Sequence, residues 1–335
     1  MGDAADDDIG ETRTGVMAED HNCTETVGYD AVLLIGFGGP EKAEEIEPFL
    51  RNVARGRPIP SERLREVAHH YEVVGGKSPL NELTRRQARA LEAELIRRGV
   101  ELPVYVGMRN WHPFLVDSVR RMEADGVRRV VGVILSAYQC HSSWDRYKED
   151  VALAVEEAGA GIEVVYSEPV YDHPAFIEAV AARVEEKLRC VPGDERDLTR
   201  LLFTAHSIPL DMASSSPYVE QLRHTSERVA ERVGFDAWTL CYQSRSGPPD
   251  EPWLEPDVCD IIRSLAGRGV RYVVVEPIGF LCDHVEVLYD LGMEAAQVAD
   301  ECGVRLLRAE TVNDDRRFIC ALADRVESAM GRWRV

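Results

Sequence analysis

Three carboxylates are evenly spaced after an apolar run near the end of the sequence. Tyr272–Glu276 is a short β-branched run that predicts a buried strand, and Asp283 offers a helix N-cap with Glu286 three residues later, as in a capping box. On the helix that follows, Glu286, Asp290 and Glu294 lie four residues apart and therefore share one face. Like charges at this spacing repel each other. The row is either the solvated face of an amphipathic helix, which is the commoner case, or a path for cations or protons into a site at the end of the strand.

A histidine has a similar position elsewhere in the chain. His206 follows Leu201–Thr204, an apolar run that predicts a strand, and strand-end loops collect functional groups. A lone histidine is more often a structural hydrogen-bonding group. Facing carboxylates such as Glu286, however, a neutral imidazole can bind a borderline divalent metal such as ferrous iron, or accept a proton from a substrate. A stable metal enzyme needs three or four ligands, so these two indicate a site where metal is transient.

Other kinds of site fit the sequence less well. It contains neither G-x-S-x-G nor H-E-x-x-H, and G-F-G-G-P at 36–40 is a strand-end turn or a close approach to a ligand, not a dinucleotide motif. Cys282 and His284 are too close in sequence to be expected to face each other as a thiol–imidazole pair. The basic stretch 55–60 is either a solvated loop or an anion contact.

Composition excludes several functional classes. The 335 residues carry a formal net charge of −20, which argues against nucleic-acid binding. No apolar run approaches the roughly 18 residues that a membrane span requires. The eight cysteines are scattered without a C-x-x-C pair, so we expect reduced thiols in a cytoplasmic protein. Residues 1–29 are acidic and aperiodic, and we predict that they are disordered.

Strand and helix patterns alternate along the rest of the chain and predict an α/β fold. Strands are expected at 31–35, 104–106, 127–135, 162–166, 201–204, 237–242 and 272–276. Helices are expected between and beyond them, including 42–51, 84–99, 115–124, 174–188, 218–233, 258–266 and 314–331.

Two internal similarities divide this pattern into halves. Gly126–Val131 is similar to Gly269–Val274, and Leu33–Pro40 is similar to Leu202–Pro209. We therefore predict two similar β/α halves, 30–190 and 198–312, whose parallel strands end toward a shared cleft. Residues 192–197 are the expected linker, and 313–335 the C-terminal helix, packed on either half.

Several motifs resemble the ferrochelatases of haem synthesis over nearly all of 31–330. The most specific are F-T-A-H-S-I-P at 203–209 and P-I-G-F-L-C-D-H-V-E-V-L-Y-D at 277–290. Supporting motifs are Y-E at 71–72, G-G-K-S-P-L at 75–80 and P-W-L-E-P-D at 252–257. The stretches 33–40 and 107–111 are most similar to the actinobacterial form of the family.

The resemblance implies a fold and a set of site residues. It implies flavodoxin-like or Rossmann-like halves of parallel sheet with a porphyrin held in the cleft. His206 and Glu286 match the metal-site pair, the histidine also being the pyrrole proton acceptor, and Asp290 and Glu294 match a relay for metal or protons. The positions matched to porphyrin binding are Phe37, Tyr71, Ser78, Arg109 and Tyr147.

The resemblance also implies a reaction, insertion of ferrous iron into a porphyrin. Coproporphyrin III is favoured; protoporphyrin IX, cobalt or nickel loading of another tetrapyrrole, and a non-catalytic porphyrin or haem carrier remain alternatives. Iron is a substrate, no tightly bound cofactor is expected, and Cys302 and Cys320 lack the spacing of a [2Fe–2S] cluster. We expect no stable membrane association, and transient contact with neighbouring haem-pathway enzymes. The chain departs from one branch of the family at Phe37, Ala54 and His70, where a tyrosine and two arginines are common.

Overall fold

The computed structural model describes residues 28–55, 60–248 and 250–331, which form two parallel sheets of four strands each. The strands are β1 Ala31–Gly36, β2 Val104–Met108, β3 Arg129–Ile134, β4 Glu163–Tyr166, β5 Thr199–His206, β6 Trp238–Gln243, β7 Tyr272–Glu276 and β8 Arg305–Arg308. Their order is β2-β1-β3-β4 in one sheet and β6-β5-β7-β8 in the other. The predicted α/β fold with two similar halves is confirmed.

The central strands are apolar because helices cover both of their faces. Ala31–Ile35 of β1 is completely buried, and so are Val273, Val274 and Val275 of β7. Each fully buried side chain of this size contributes about 1.5–3 kcal/mol relative to an exposed one. A near-continuous run of such residues is typical of parallel strands, which is why these strands could be located from sequence.

Helices connect successive strands. They are α1 Ile46–Val53, α2 Ser61–Val73, α3 Leu80–Arg97, α4 Leu115–Ala124, α5 Arg146–Ala158, α6 Pro174–Leu188, α7 Leu210–Ser214, α8 Tyr218–Val233, α9 Val258–Ala266, α10 Ala295–Glu301 and α11 Arg316–Ala329. The predictions over 115–124, 174–188, 218–233 and 258–266 are confirmed to the residue.

Two elements that the sequence did not predict lie near the cleft or at a sheet edge. Helix α2 is highly charged and carries few apolar side chains, so its helical period was not recognised. Strand β8 is four residues long, has an arginine at each end and lies at the edge of its sheet. The stretch predicted as a linker, 192–197, forms a short 3₁₀ turn, Gly193–Leu198.

The two sheets share a continuous core. It includes Val32 and Leu34 of β1 together with Leu201 and Phe203 of β5. Helix α6 packs against β7 of the second sheet, and α11 returns to pack on α3 and α6. The C-terminal helix thus packs on helices of the first half and closes the fold.

Some predictions concern residues that the structure does not describe. Residues 1–27, most of the segment predicted to be disordered, lie outside the described ranges. So do residues 56–59 of the basic stretch, while Arg55 donates to Asn52 Oδ1 at 2.9 Å. Among the helices that are described, none combines the length and apolar character needed to cross a bilayer.

Candidate active site

The sequence indicated that His206 follows the strand. His206 is instead the last residue of β5. Its Nδ1 contacts the carbonyl oxygen of Ser207, which can only accept a hydrogen bond. In the neutral imidazole Nδ1 therefore carries the proton, and Nε2 presents its lone pair. Nε2 lies 3.9 Å from Glu286 Oε2. The two residues predicted as a pair are thus brought together.

The loop after β7 carries Glu286 to His206. The backbone N–H of Gly279 donates to the carbonyl oxygen of Thr204 at 3.0 Å. A Cβ atom at Gly279 would lie 2.7 Å from Cα of Ala205, so a side chain is excluded. This close crossing places the loop over the end of β5 and sets Glu286, at the start of the next helix, opposite His206.

His284 is a site residue that sequence reasoning missed. Its Nδ1 contacts the carbonyl oxygen of Cys282 at 3.1 Å, and its Nε2 lies 3.6 Å from Glu286 Oε2. We considered this histidine only as a thiol partner, whereas the Cys282 thiol accepts from Gln87 Nε2 at 3.0 Å. The sequence feature that could have identified His284 as a site residue is its position two residues before Glu286, at the start of the helix.

Glu286 is held as an anion between two imidazoles. Burial opposes ionisation, but the hydrogen bond from His284 and the positive charges of His206, His284 and His70 lower the pKa of Glu286. Burial likewise lowers the pKa of His284, yet the hydrogen bond and charge of Glu286 outweigh it and raise that pKa. An ionised carboxylate with two nearby imidazole nitrogens can attract a divalent cation and accept protons.

The capping box predicted between Asp283 and Glu286 is not formed. The Asp283 carboxylate accepts instead from Arg308 Nη1 at 2.7 Å and from Asn313 Nδ2 at 3.0 Å. An ion pair to Arg308 is stronger than a neutral cap and draws the side chain away from the helix. The bond tethers the segment before Glu286 to the end of β8.

Asp290 and Glu294 lie on a π-helix, Val287–Glu294, that begins one residue after Glu286 and continues into α10. Glu294 is exposed, whereas Asp290 is only 8% exposed and accepts hydrogen bonds from Ser244 Oγ and Gln243 Nε2. Burial and then the charge of Glu286 raise the pKa of Asp290 to about 6. Glu294 therefore lies on a solvated face of the helix, as one interpretation of the sequence predicted, whereas Asp290 does not. The buried carboxylate of Asp290 thus lies between Glu294, which is exposed, and Glu286, whose side chain is 47% exposed.

Aromatic side chains line one wall beside Glu286. The rings of Phe37 and Tyr71 lie 6.3 and 5.9 Å from that of Phe49. Phe49 and Tyr71 share a cluster with Val285, the neighbour of Glu286. Burial and the negative charge of Glu286 raise the pKa of the Tyr71 phenol. Phe37 is 37% exposed, so it offers apolar surface to a flat ligand.

Arg109 and Tyr147 form a separate contact. The Arg109 guanidinium lies 4.4 Å above the Tyr147 ring, and its Nε donates to Asp150 Oδ2 at 2.5 Å. Ser78 is buried against Gly39, and its Oγ accepts from the Leu80 N–H at 3.3 Å. Among the described residues, no hydrogen bond or ion pair joins these three side chains to the His206–Glu286 pair. Their porphyrin contacts stay predictions.

Helix α2, which carries Tyr71, also contacts the helix of the acidic row. The His70 ring stacks on the ring of Tyr289 with centroids 3.7 Å apart and planes 11° from parallel. Burial, followed by the charge of Arg63, lowers the pKa of His70. The His70 ring lies over the helix that carries Glu286 and Asp290. His70 was noted in the sequence only as a departure from the family pattern.

The described part of the chain holds no group of three or more His, Cys, Asp or Glu side chains arranged to bind a metal ion. A metal bound at His206 and Glu286 would therefore take its remaining ligands from elsewhere, such as water or a substrate. Seven cysteines lie in the described ranges, and all are free. Burial raises the pKa of the thiols of Cys241, Cys259, Cys282 and Cys320.

The chain is similar to known proteins over almost its whole length. A family model described as ferrochelatase matches residues 29–330. A ferrochelatase of Rhodopirellula baltica is 42% identical and covers 92% of this chain and 88% of its own. A coproporphyrin III ferrochelatase of Mycolicibacterium smegmatis is 44% identical and covers 91% of each chain.

A solved structure supports the fold. SirB from Bacillus subtilis, solved with Fe3+, matches with a TM-score of 0.57 at 13% identity, over 90% of this chain and 96% of that one. Identity this low establishes a shared architecture of two facing halves and nothing about substrate.

Proposed function

The chain belongs to the ferrochelatase family, and from this premise we propose that it inserts ferrous iron into coproporphyrin III during haem biosynthesis. The observation that carries the proposal is the 3.9 Å approach of His206 Nε2 to Glu286 Oε2. Coproporphyrin is preferred to protoporphyrin because the Mycolicibacterium smegmatis relative, 44% identical, is a coproporphyrin III ferrochelatase.

The reaction exchanges two pyrrole protons for one ferrous ion. Nε2 of His206 has a free lone pair in the neutral tautomer and is the proposed acceptor of a pyrrole proton. Glu286, ionised between His206 and His284, offsets the positive charge that develops on the imidazole as the proton arrives. The same imidazole and carboxylate are suitable ligands for ferrous iron. Because the protein supplies only these two ligands, the ion is held weakly enough to transfer to the macrocycle.

The acidic row is the proposed route for iron or protons. Glu294 lies at the surface, Asp290 is buried next, and Glu286 faces the imidazoles. Each carboxylate offers oxygen ligands to a divalent cation, and their mutual repulsion is relieved when a cation binds. This function explains a row of like charges, with Asp290 buried, that would otherwise only destabilise the helix.

The porphyrin is proposed to bind against the aromatic wall, with Phe37 and Tyr71 beside the ring. Ser78, Arg109 and Tyr147 are proposed to contact the porphyrin or its propionates, because guanidinium and hydroxyl groups are natural carboxylate partners. Asp150 already pairs with Arg109, so a propionate would share or displace that partner.

We further propose that iron is a substrate only and that no iron–sulfur cluster is bound. Cluster ligands are thiolates, and burial keeps Cys320 and other thiols protonated by raising their pKa values. Free cysteines throughout the described ranges favour a reducing compartment, the cytoplasm. Transient contact with neighbouring haem-pathway enzymes would pass on the product.

The test is anaerobic absorbance of the purified protein with ferrous iron and coproporphyrin III, run in parallel with protoporphyrin IX. We expect the free-porphyrin bands to disappear with coproporphyrin, and His206→Ala to abolish insertion while leaving the binding shift. His224→Ala is the matched control, because His224 is exposed on α8 and contacts the ring of Tyr171.

The other outcomes are distinct. Turnover of protoporphyrin alone would retain the enzyme class and overturn the substrate. Near-normal insertion by His206→Ala would overturn the site. Binding shifts without insertion of iron, cobalt or nickel would indicate a porphyrin carrier.

A further inference from the structure

Asp290 is held by the turn that follows β6. Ser244 Oγ and Gln243 Nε2 both donate to Oδ2 of its carboxylate, and Asp290 itself is 8% exposed. Gln243 is the last residue of β6, so its position is fixed by the sheet. Ser244 is the first residue beyond the strand and has no such support.

Ser244 adopts a backbone conformation that residues other than glycine, asparagine and aspartate rarely adopt. Its φ is +61°, in the left-handed region, and Asn313 is the other such non-glycine residue among those described. Ser246 Oγ donates to the carbonyl oxygen of Ser244 at 2.8 Å and closes the turn. Strain of this kind persists where the local structure requires it, and here it brings the hydroxyl to Asp290.

The two donors leave the carboxylate with one oxygen for a cation. Both bonds end on Oδ2, and no donor from the described part of the chain contacts Oδ1. A carboxylate fixed in this way binds a metal through a single oxygen, which holds it less firmly than two. It is also prevented from rotating away from the row.

We propose that Ser244 is a positioning residue that fixes the Asp290 carboxylate so that Oδ1 receives ferrous iron on its way to Glu286. The inference rests on the proposed iron insertion. Ser244 acts through Asp290, and among the described residues it makes no hydrogen bond to His206 or Glu286. Its loss should therefore change the dependence of the rate on iron concentration and leave the dependence on porphyrin unchanged.

The experiment compares three variants of the full chain by steady-state insertion kinetics, varying ferrous iron and porphyrin separately. Ser244→Gly removes the hydroxyl and at the same time permits the positive φ, so it does not strain the fold. Ser244→Asn keeps a donor in a residue that tolerates the same φ. Ser246→Ala, the matched control, removes the other hydroxyl of the turn without removing a partner of Asp290.

We expect Ser244→Gly to raise the KM for ferrous iron about tenfold, the effect of losing one hydrogen bond to a charged group, with the KM for porphyrin within twofold. Ser244→Asn should restore most of the loss, and Ser246→Ala should resemble the wild type. An unchanged iron KM in Ser244→Gly overturns the proposal, and so does an equal rise in Ser246→Ala, which would assign the effect to the turn. If the wild type inserts no iron at all, the proposed function fails first, and that result is visible in the same assay.

Discussion

At the scale of single residues, one oxygen of Glu286 organises the site. Oε2 lies 3.9 Å from Nε2 of His206 and 3.6 Å from Nε2 of His284. Backbone carbonyls fix the Nδ1 side of both rings, so both Nε2 atoms are directed at the same carboxylate. Under the proposed function, protons and ferrous iron compete for these three groups.

Burial of Asp290 predicts a dependence of stability on pH. Its pKa is raised from 3.8 to about 6 in the folded protein, so the folded state binds more protons than the unfolded state between these values. Stability is therefore lost as pH rises through this window, by at most about 3 kcal/mol. Asp290→Asn lacks this loss. Its free energy of unfolding, measured by urea unfolding, should therefore increase relative to that of the wild type from pH 4 to 7.

A matched variant isolates the effect of burial. Asp300→Asn removes one negative charge from an exposed position on α10. The free energy of unfolding of Asp300→Asn should differ from that of the wild type by a nearly constant amount over the same pH range. If Asp290→Asn also gives a constant difference, the carboxylate is not ionising at the raised pKa.

At the scale of elements, the loop after β7 and the π-helix together present Glu286 and Asp290. The loop crosses β5 at Gly279, where a Cβ atom would meet the backbone of Ala205. The π-helix has room at Gly292, where the nearest atoms to an added Cβ are Val287 O at 3.9 Å and Arg308 Nε at 4.0 Å. A side chain is therefore sterically excluded at Gly279 but has room at Gly292.

Alanine substitutions should separate the two glycines. Gly279→Ala forces the loop away from β5, and we expect a loss of about 2 kcal/mol or more of stability together with most of the insertion activity. Gly292→Ala should be tolerated or stabilise by about 0.4–1 kcal/mol, since alanine restricts the unfolded chain. Thermal unfolding and insertion rate, measured together, check both. Equal behaviour of the two variants would contradict the close crossing.

At the scale of the whole molecule, the last helix joins the two halves. Arg98 at the end of α3 contacts Glu94 of its own helix and Asp324 and Glu327 of α11 at 2.5–2.8 Å. Its side chain is 16% exposed, so the charges it neutralises are partly shielded from water. This ion-pair cluster fixes α11 on the first half.

Adjacent arginines test the cluster. Arg98→Met removes the cation that Asp324 and Glu327 share and leaves Asp324 with only the His173 imidazole, 3.1 Å away, among its ion-pair contacts in the described ranges. We expect a loss of about 3 kcal/mol in the free energy of unfolding. Arg97→Met is the matched control, because Arg97 is 61% exposed and pairs with Glu94 alone. Such surface pairs contribute about 0–1 kcal/mol. Urea unfolding of the two variants measures the difference, and equal losses would show that the inter-helix bonds contribute little.

The sequence by itself determined the elements and the pair of chemical groups. Continuous apolar runs fixed the central strands, the helical period fixed helices such as α6 and α8, and the position of His206 and Glu286 at strand ends indicated the cleft. These signals are local, because burial on both faces and helical spacing are properties of a short stretch of chain.

Only the tertiary structure decided how those groups act. The ion pair of Asp283 with Arg308 and the burial of Asp290 under Ser244 both depend on residues distant in sequence. Spacing alone could not show whether the acidic row was solvated, because solvent exposure is set by the neighbours of a helix. Which oxygen faces which nitrogen follows from the packing of the loop after β7 on the end of β5, within the second half.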